Sequence, residues 1–312
     1  MMTGFRGIPS IAICGARGIG QVHARIFNEL GSKVCAVLGS SSHSAAEVGR
    51  KLKDCFGIDA GTFSSLSELL DQVRPKALSI CTPPQFHFDQ IIAALDSNIA
   101  VFCEKPLFWD KDITFDQMQE KLVCIENHPN RRLFVNTSNA YFIDKLINRI
   151  ASPEDIRSLS FSFYTHGKHL GRNIAVDLLP HGFSLLLRLL GSRPITSLTE
   201  NFEQHAWHGC FNYGKCKVEF DFKEGPESSK TFAITIDQHR FQRVQQGQGA
   251  TYRVFLQEST TGEKIEVEDP FNVYIKRFLN YCNNGALVGA DDFSEAAANM
   301  RLMANILLEG SR

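Results

Sequence analysis

The chain has 312 residues, with 33 Lys and Arg against 34 Asp and Glu, and 43% of its residues are hydrophobic. The length suggests two domains, and the near-neutral charge gives no reason to expect nucleic acid or an anionic membrane as a partner. No apolar run approaches the ~20 residues that are needed to cross a bilayer. The apolar segment Ile11–Cys14 is too short for the core of a signal peptide.

The nine cysteines indicate a reducing compartment. Five of them lie in the first third of the chain, and four of those five are embedded in apolar, strand-like segments. Buried thiols that act as small hydrophobic groups fit this distribution better than a disulfide framework does. We therefore predict a cytoplasmic protein.

The first half of the chain alternates short apolar runs with amphipathic stretches. Continuous apolar residues are typical of buried parallel strands. The predicted strands are Ile11–Cys14, Lys33–Leu38, Ala77–Cys81, Ala100–Cys103 and Leu133–Asn136. Two stretches between them have helical spacing, and one of these begins at a capping box formed by Ser65 and Glu68. This repetition predicts a parallel sheet with helices on both faces.

After about residue 150 the pattern changes to alternation. Apolar residues occupy every second position in the segments 159–163, 218–222 and 232–236. This period predicts strands of a mostly antiparallel sheet. Helices are predicted near Ala175–Leu190, around residues 271–282, and from a second capping box at Asp292 and Glu295 to the C-terminus.

The predicted fold is therefore α/β with two domains. Residues 1–137 are expected to form an N-terminal Rossmann domain that binds a dinucleotide. Residues 138–312 are expected to form a second α/β domain with a large, open, mostly antiparallel sheet for substrate binding and oligomerisation. The final helix, 292–311, either stays in the second domain or packs back on the Rossmann domain.

A glycine-rich turn follows the first predicted strand and opens a helix. A dinucleotide site needs glycine there for a tight turn, for approach of the backbone to the pyrophosphate and for close helix–strand packing. The helix N-terminus supplies N–H groups and a positive dipole end to the phosphates. Arg17 occupies the place of the usual middle glycine. The predicted cofactor-binding residues in this turn are Gly15, Ala16, Arg17, Gly18, Ile19 and Gly20.

The end of the second predicted strand favours NADP over NAD. An NAD site usually has Asp or Glu there, to bind the ribose hydroxyls. Here residues 39–43 are Gly-Ser-Ser-Ser-His, and the first carboxylate is Glu47. These small residues leave room for a 2′-phosphate, whose charge Arg17 or His43 could balance. A serine-rich loop that is indifferent to the cofactor is the alternative. The predicted contacts in this turn are Gly39, Ser40 and Ser41.

Four short motifs follow one another along the chain. They are residues 15–24 (Gly-Ala-Arg-Gly-Ile-Gly-Gln-Val-His-Ala), residues 81–84 (Cys-Thr-Pro-Pro), residues 103–107 (Cys-Glu-Lys-Pro-Leu), and Asp177-x-x-x-His181. Together they resemble the Gfo/Idh/MocA oxidoreductases, the group of glucose-fructose oxidoreductase and inositol dehydrogenase. The resemblance covers most of the chain, and it implies a Rossmann domain followed by an α/β domain with an open antiparallel sheet.

The resemblance also implies roles for individual residues. Thr82 and Pro83 would lie under the cofactor, and the Lys105–Pro106 bond is often cis in the family. Lys105 would stand beside the nicotinamide and the reacting carbon, with Asp177 and His181 facing it across the cleft. We also expect His87, Glu104 and Lys105 among the cofactor-binding residues.

The chemistry of hydride transfer supports these roles. Oxidation of a carbinol needs a base for the hydroxyl proton while the hydride leaves, and reduction needs the same group as an acid. Histidine titrates nearest to neutral pH, and the i, i+4 spacing puts Asp177 and His181 on one helix face. We therefore predict Lys105, His181 and Asp177 as catalytic residues. Ser184 stands where many relatives have a second acid, which leaves room for a less polar carbonyl or an imine.

Other charged residues of the second half have weaker patterns. Lys168, His169 and Arg172 precede the active-site helix, where they either bind an anionic substrate group or form a solvated loop. A zinc-like pattern is formed by His205, His208, Cys210 and Cys216. Because the segment has the pattern of a hairpin, alternate side chains point to opposite faces, so we predict no metal site.

The predicted function is hydride transfer between NADP, or NAD, and a small carbinol or carbonyl substrate such as a sugar, a polyol or a sugar derivative. The alternatives are a reductase of an imine or a conjugated system, and a cofactor-sensing regulator without turnover. A sensor needs neither Lys105 nor His181, which argues against the regulator. Apolar groups on the open sheet face, such as Tyr164 and Phe255, predict a homodimer or a tetramer of such dimers.

Overall fold

A computed structural model describes residues 9–248, 251–284 and 292–309. The chain folds as two compact units. Unit 1 contains Met1–Asn136 and Phe271–Ala297, and unit 2 contains Thr137–Pro270 and Ala298–Arg312. The division predicted from the sequence differs in placing residues 271–297 with the second half.

Unit 1 contains a six-stranded parallel sheet with the order β3-β2-β1-β4-β5-β6. Its strands are β1 (Ser10–Cys14), β2 (Lys33–Leu38), β3 (Gly61–Phe63), β4 (Ala77–Ile80), β5 (Ala100–Cys103) and β6 (Leu133–Val135). Its crossover helices are α1 (Ile19–Glu29), α2 (Ser42–Phe56), α3 (Leu66–Val73), α4 (His87–Asp96) and α5 (Phe115–Glu126). Strands β1, β4, β5 and β6 are almost entirely buried, as continuous apolar runs predict.

Unit 2 contains an eight-stranded sheet with the order β14-β13-β12-β11-β7-β10-β9-β8. Along the chain, helix α6 (Ala140–Leu146) precedes the first strand, β7 (Ser158–Thr165), and helix α7 (Asn173–Leu190) follows it. The other strands are β8 (Ile195–Glu203), β9 (Ala206–Tyr213), β10 (Cys216–Glu224), β11 (Thr231–Ile236), β12 (His239–Gln246), β13 (Arg253–Glu258) and β14 (Lys264–Val267). Only the β7–β10 pair is parallel among the strand pairs of this described sheet. The predicted fold class is therefore confirmed.

The chain ends in helices α8 (Pro270–Asn284) and α9 (Asp292–Ala304), followed by a π-helical turn, Asn305–Glu309. The predicted helix end at residue 311 lies outside the described residues. One described helix, Asn173–Leu190, is long and apolar enough to cross a membrane by length and composition alone, with a mean hydropathy of 1.2. Because 67% of it is buried within the protein, it also fits the core helix of a globular fold, which passes the same test.

Candidate active site

The turn between β1 and α1 has the geometry that the glycine pattern predicts. Gly15 has a φ of +78°, and a Cβ on it would lie 2.7 Å from the carbonyl oxygen of Cys81. A Cβ on Gly20 would lie 2.2 Å from the Gly15 oxygen. Gly18 has a φ of +51°, and no atom of the described residues lies within 4 Å of its Cβ position. Two glycines are thus fixed by packing, and the third leaves open backbone at the helix start, where a pyrophosphate binds.

The turn between β2 and α2 is tightly packed at Gly39. A Cβ on Gly39 would lie 2.6 Å from the backbone nitrogen of Ala45, so this glycine is required for packing and leaves no space for a side chain. Ser41 caps α2 by accepting a hydrogen bond from the Ser44 N–H, at 3.2 Å. Ser40 is exposed at the same helix start. Ser40 therefore presents an exposed side chain at this turn, whereas Gly39 leaves no space for one, and the cofactor contacts of residues 39–41 stay predictions.

Arg17 has an acidic partner that sequence reasoning did not pair with it. Its Nη2 lies 2.6 Å from Oε2 of Glu47, and the two side chains are 63% and 56% exposed. Glu47 belongs to α2 and lies six residues after the Ser41 cap. Glu47, the first carboxylate after β2, is therefore paired with Arg17, the cation that was predicted to balance a 2′-phosphate.

The loop after β4 is held by a buried histidine. Both ring nitrogens of His87 face carbonyl oxygens: Nε2 lies 2.7 Å from Thr82 O, and Nδ1 lies 3.0 Å from Pro106 O. Burial lowers the pKa of His87, so the ring is neutral and donates to one of these oxygens at a time. His87 is only 1% exposed. In the structure it supports the two loops that carry Thr82 and Lys105, and its predicted contact with cofactor stays a prediction.

Glu104 is likewise a support. It is 7% exposed, its Oε1 accepts a hydrogen bond from Asn136 Nδ2 at 2.6 Å, and the same oxygen lies 2.9 Å from His23 Nε2. At this distance the protonated His23 ring and the Glu104 carboxylate form an ion pair. Burial alone would raise the pKa of Glu104, but His23, Asn136 and Lys105 hold it below the usual range. Glu104 thus forms a buried ion pair with His23, and its contact with cofactor stays a prediction.

His23 is the cation of this pair. It is fully buried, and its Nδ1 lies 2.9 Å from Ser79 Oγ and 3.2 Å from Cys81 Sγ. Burial alone would lower the pKa of His23, yet Cys81 and Glu104 raise it to about 10. Lys105, which follows Glu104 in the chain, is half-buried. It is joined to Pro106 by the cis peptide bond that the resemblance implied.

Helix α7 carries the predicted residues of unit 2. Asn139 Nδ2 lies 2.8 Å from His181 Nδ1, and an amide NH2 can only donate, so Nδ1 accepts. The proton of a neutral His181 is then on Nε2. Phe163 packs edge-on against the same ring, with 5.0 Å between centroids. Asn139 was not predicted, because nothing in its local sequence distinguishes it from a helix-start residue.

The loop before α7 joins Asp177 to a buried glutamate. His169 Nδ1 lies 3.1 Å from Glu224 Oε2 and 3.9 Å from Asp177 Oδ2. Arg172, by contrast, contacts Glu200 at 2.7 Å and donates to the carbonyl oxygens of Ile306 and Leu307, so it serves the fold. Sequence reasoning missed Glu224, although it occupies a position that the alternation of β10 assigns to an apolar side chain.

Ser184 is buried, and its hydroxyl donates to the carbonyl oxygen of His181 at 2.8 Å. Its proton is therefore used within α7, and it supplies no carboxylate where many relatives have a second acid.

The zinc-like pattern is only half assembled. His205 Nδ1 lies 2.9 Å from the Glu224 carbonyl oxygen, and Cys216 is buried on the covered face of the sheet. His208 and Cys210 do meet, with 3.2 Å between Nε2 and Sγ, and Glu219 Oε1 lies 3.8 Å from His208 Nε2. As the hairpin predicts, the structure separates two of the four residues from the other two.

Comparisons with known proteins agree with the motifs. Residues 10–137 match the sequence model of the Gfo/Idh/MocA family, described as an oxidoreductase family with an NAD-binding Rossmann fold. The chain is 32% identical over 143 residues to a 4-carboxy-2-hydroxymuconate-6-semialdehyde dehydrogenase of a Sphingobium strain, covering 44% of this chain and 42% of that protein. It is 31% identical over 100 residues to an inositol 2-dehydrogenase of Azotobacter vinelandii, covering 31% and 28% of the two chains.

Among solved structures, a 3-ketoreductase from Actinomadura kijaniata in complex with TDP-benzene and NADP has a TM-score of 0.69 and 14% identity, covering 96% of each chain. At this identity the likeness concerns the fold alone. The chain spans less than half the length of each of the two curated relatives. Over residues 10–137 the chain is similar to the Gfo/Idh/MocA oxidoreductases, which agrees with the resemblance carried by the motifs.

Proposed function

We propose that the protein transfers a hydride between a nicotinamide dinucleotide and a carbinol or carbonyl carbon of a sugar, a polyol or a sugar derivative. The observation that carries this proposal is the β1–α1 turn, where close packing forces glycine at residues 15 and 20 and Gly18 is left open. The names of the relatives, which include an inositol dehydrogenase, support the substrate class.

A bound nicotinamide would supply or accept the hydride, and the chain would supply the proton chemistry. Because Asn139 holds Nδ1 of His181 as an acceptor, the Nε2–H is suited to donate a hydrogen bond to the reacting oxygen and to stabilise its developing charge. Lys105 is proposed to give a proton to this oxygen in reduction and, in its neutral form, to take the hydroxyl proton in oxidation. Asp177 is proposed to orient a neighbouring hydroxyl.

We further propose that NADP is the preferred cofactor. Ser40 and the capped start of α2 have no carboxylate of their own to repel a 2′-phosphate. The cation at Arg17 is available once a phosphate competes with Glu47, since an exposed ion pair of this kind is weak. The Thr82–Pro83 loop is proposed to lie under the cofactor.

Assembly and location complete the proposal. Tyr164 and Phe255 lie on the open face of the eight-stranded sheet, opposite to the covered apolar residues of their strands. We propose that this face forms a homodimer, or a tetramer of dimers, and light scattering that shows a monomer at micromolar concentration would contradict this. All nine cysteines are free, which supports a cytoplasmic location.

A less polar carbonyl or imine is the second candidate substrate. It is favoured by Ser184, whose hydroxyl is used within α7, and by the buried apolar residues of the helix around it. A sugar would be held by more hydrogen-bonding groups than this part of the helix provides.

The test is a turnover screen of the purified chain with NADP(H) and NAD(H) against sugars, polyols, sugar nucleotides, keto acids and imines. Gly15→Val is the matched control, since its side chain would strike the backbone at Cys81 and close the cofactor turn. Turnover of a polyol or sugar that Gly15→Val lacks would support the proposal. Tight cofactor binding without turnover of any compound would favour a cofactor-sensing regulator instead.

A further inference from the structure

Glu224 breaks the pattern of its own strand. Along β10, buried side chains alternate with outward-facing ones, and the buried ones are Cys216, Val218, Phe220, Phe222 and then Glu224. The first four are apolar residues of the unit 2 core. The fifth is a carboxylate with 0% exposure. Burial of a charged group costs free energy unless its partners replace water, so an apolar residue would serve the fold better here.

The partners of Glu224 come from one loop. Its Oε2 accepts hydrogen bonds from the backbone N–H of His169, at 2.9 Å, and from His169 Nδ1, at 3.1 Å. Its Oε1 is buried with no hydrogen-bond partner among the described residues. Only one oxygen of the carboxylate is therefore hydrogen-bonded, and both of its bonds come from His169. The contact fixes the position of the histidine but leaves the glutamate only partly compensated for its burial.

The loop is shaped to bring the two residues together. A Cβ on Gly167 would lie 1.8 Å from Glu224 Oε2, so only glycine lets the loop pass this close to the carboxylate. The Gly167 N–H donates to Thr165 Oγ1 at 3.0 Å, and the backbone of Glu224 pairs with the same strand end in the parallel β7–β10 ladder. Loop and strand thus fix the distance between carboxylate and imidazole.

This contact determines the tautomer of His169. A carboxylate can only accept, so the Nδ1 atom that faces it carries the proton, and the Nε2 of a neutral ring is an acceptor. His181 has the opposite arrangement, because Asn139 donates to its Nδ1 and leaves the proton on Nε2. In unit 2, Nε2 of neutral His169 is thus an acceptor, whereas Nε2 of neutral His181 is a donor. Asp177 Oδ2 lies 3.9 Å from His169 Nδ1.

We propose that Glu224 is a positioning residue that holds His169 as a hydrogen-bond acceptor for a hydroxyl of the substrate, beside Asp177. The inference rests on the proposed function and narrows it to substrates with a hydroxyl next to the reacting carbon. His181 serves the reacting oxygen as donor, and His169 with Asp177 accepts from the neighbouring hydroxyl. The His169 side chain is 52% exposed, so solvent reaches the ring while its Nδ1 side is fixed by Glu224.

The first test needs no substrate. Long-range ¹H–¹⁵N spectra of ¹⁵N-histidine protein report the tautomer of each ring, and His169→Gln identifies the signals of His169. We expect the Nδ1–H form in the native protein, retained in Glu224→Gln, whose amide oxygen still accepts. Glu224→Leu restores the apolar pattern of β10 and should keep the fold, while His169 becomes a mixture of tautomers. Glu219→Leu is the matched control, since it lies on the same strand with its side chain on the opposite, exposed face.

The second test uses myo-inositol and its deoxy analogues, with the native chain and the same variants. We expect Glu224→Leu and His169→Gln to raise KM by about tenfold for a substrate with the neighbouring hydroxyl, the effect of one lost hydrogen bond to a charged or oriented partner. For the analogue that lacks this hydroxyl, KM should be the same in the variants and the native chain, and Glu224→Gln should retain most of the native behaviour.

The outcomes separate this inference from the proposed function. An identical His169 tautomer in the native chain and in Glu224→Leu would overturn the inference whatever the enzyme does. Equal losses for the hydroxyl substrate and its deoxy analogue would also overturn it. Stoichiometric Zn²⁺ binding that disappears in Glu224→Leu would replace it by a metal site, since ligand atoms of His169, Asp177 and Glu224 all lie within 4.8 Å of one another. If no compound is turned over, the proposed function fails while the tautomer still decides the role of Glu224.

Discussion

Arg17 and Glu47 form an ion pair, with 2.6 Å between Nη2 and Oε2, at the turn where a cofactor ribose is expected. A 2′-phosphate must compete with Glu47 for the guanidinium. Glu47→Gln should therefore raise the affinity for NADPH by roughly two- to fivefold, the range of an exposed ion pair, and leave the affinity for NADH unchanged. Calorimetry with both cofactors measures this.

The matched control for that prediction is Asp59→Asn. It removes the carboxylate of a second exposed pair, Lys53–Asp59, which has a similar distance of 3.1 Å. It should change neither affinity. If Glu47→Gln weakens NADPH binding, or if the native chain binds NADH more tightly than NADPH, the preference for NADP is wrong.

Cofactor choice should respond to Ser40 and not to Gly39. Ser40→Asp places a carboxylate at the exposed start of α2, and repulsion of a 2′-phosphate should lower NADPH affinity by about tenfold or more. Gly39→Asp should lower the affinity for both cofactors and the thermal stability, because its Cβ would strike the Ala45 backbone. Ser40→Asn is the neutral control. Equal loss of NADPH and NADH in Ser40→Asp would show that this position does not meet the ribose phosphate.

Catalysis should depend on Lys105 and His181. Lys105→Met removes the proposed proton donor and acceptor, and His181→Asn removes the imidazole that donates to the reacting oxygen, while both keep a similar size. Turnover should therefore fall by about 10²–10⁴-fold while NADPH binding, followed by fluorescence, changes little. Asp177→Asn should mainly raise KM. Lys121→Met, on α5, is a surface control whose Nζ lies over the Phe88 ring at 4.7 Å. Near-native turnover in both the Lys105 and His181 variants would remove the catalytic assignment.

The His23–Glu104 pair should give unit 1 a characteristic pH dependence. The pKa of His23 is raised on folding from 6.5 to about 10, so its stabilising contribution is full below pH 6.5 and is lost as the pH rises towards 10. The pKa of Glu104 is lowered from 4.5, so its contribution is present above pH 4.5 and is lost in acid. Urea unfolding should show the free energy falling from pH 6.5 to 10 more steeply in the native chain than in the double variant His23→Gln, Glu104→Gln. Equal slopes would mean that the pair is uncharged in the fold.

The sequence predicted those parts of the fold that local patterns determine. The bounds of β2 and β5 and the end of α7 follow from continuous apolar runs and helical spacing, while β1 begins one residue earlier than predicted. Ser65 caps α3 as its capping box predicts. Strand β3 was missed because three residues, Gly61–Phe63, are too few to show a period. Its pairing with β2 comes from the fold around it.

The site was predicted where a motif names the residue, and missed where a tertiary contact gives the role. Gly39 shows this limit: the absence of a carboxylate is visible in the sequence, but the Ala45 backbone that fills the space is not. Asn139 is 42 residues from His181, so no local pattern joins them. Glu224 was also missed, but it could have been found, because an acid at a position where β10 otherwise has apolar residues is visible in the sequence.

His87 gives the loops after β4 and β5 a shared tether, since one ring lies against both Thr82 O and Pro106 O. A neutral imidazole has a single proton for these two oxygens. A substitution in either loop therefore changes the balance felt by the other, and double-mutant cycles between them should show coupling instead of simple addition. Redesign of this region for new cofactors or substrates therefore has to vary the two loops together and not one at a time.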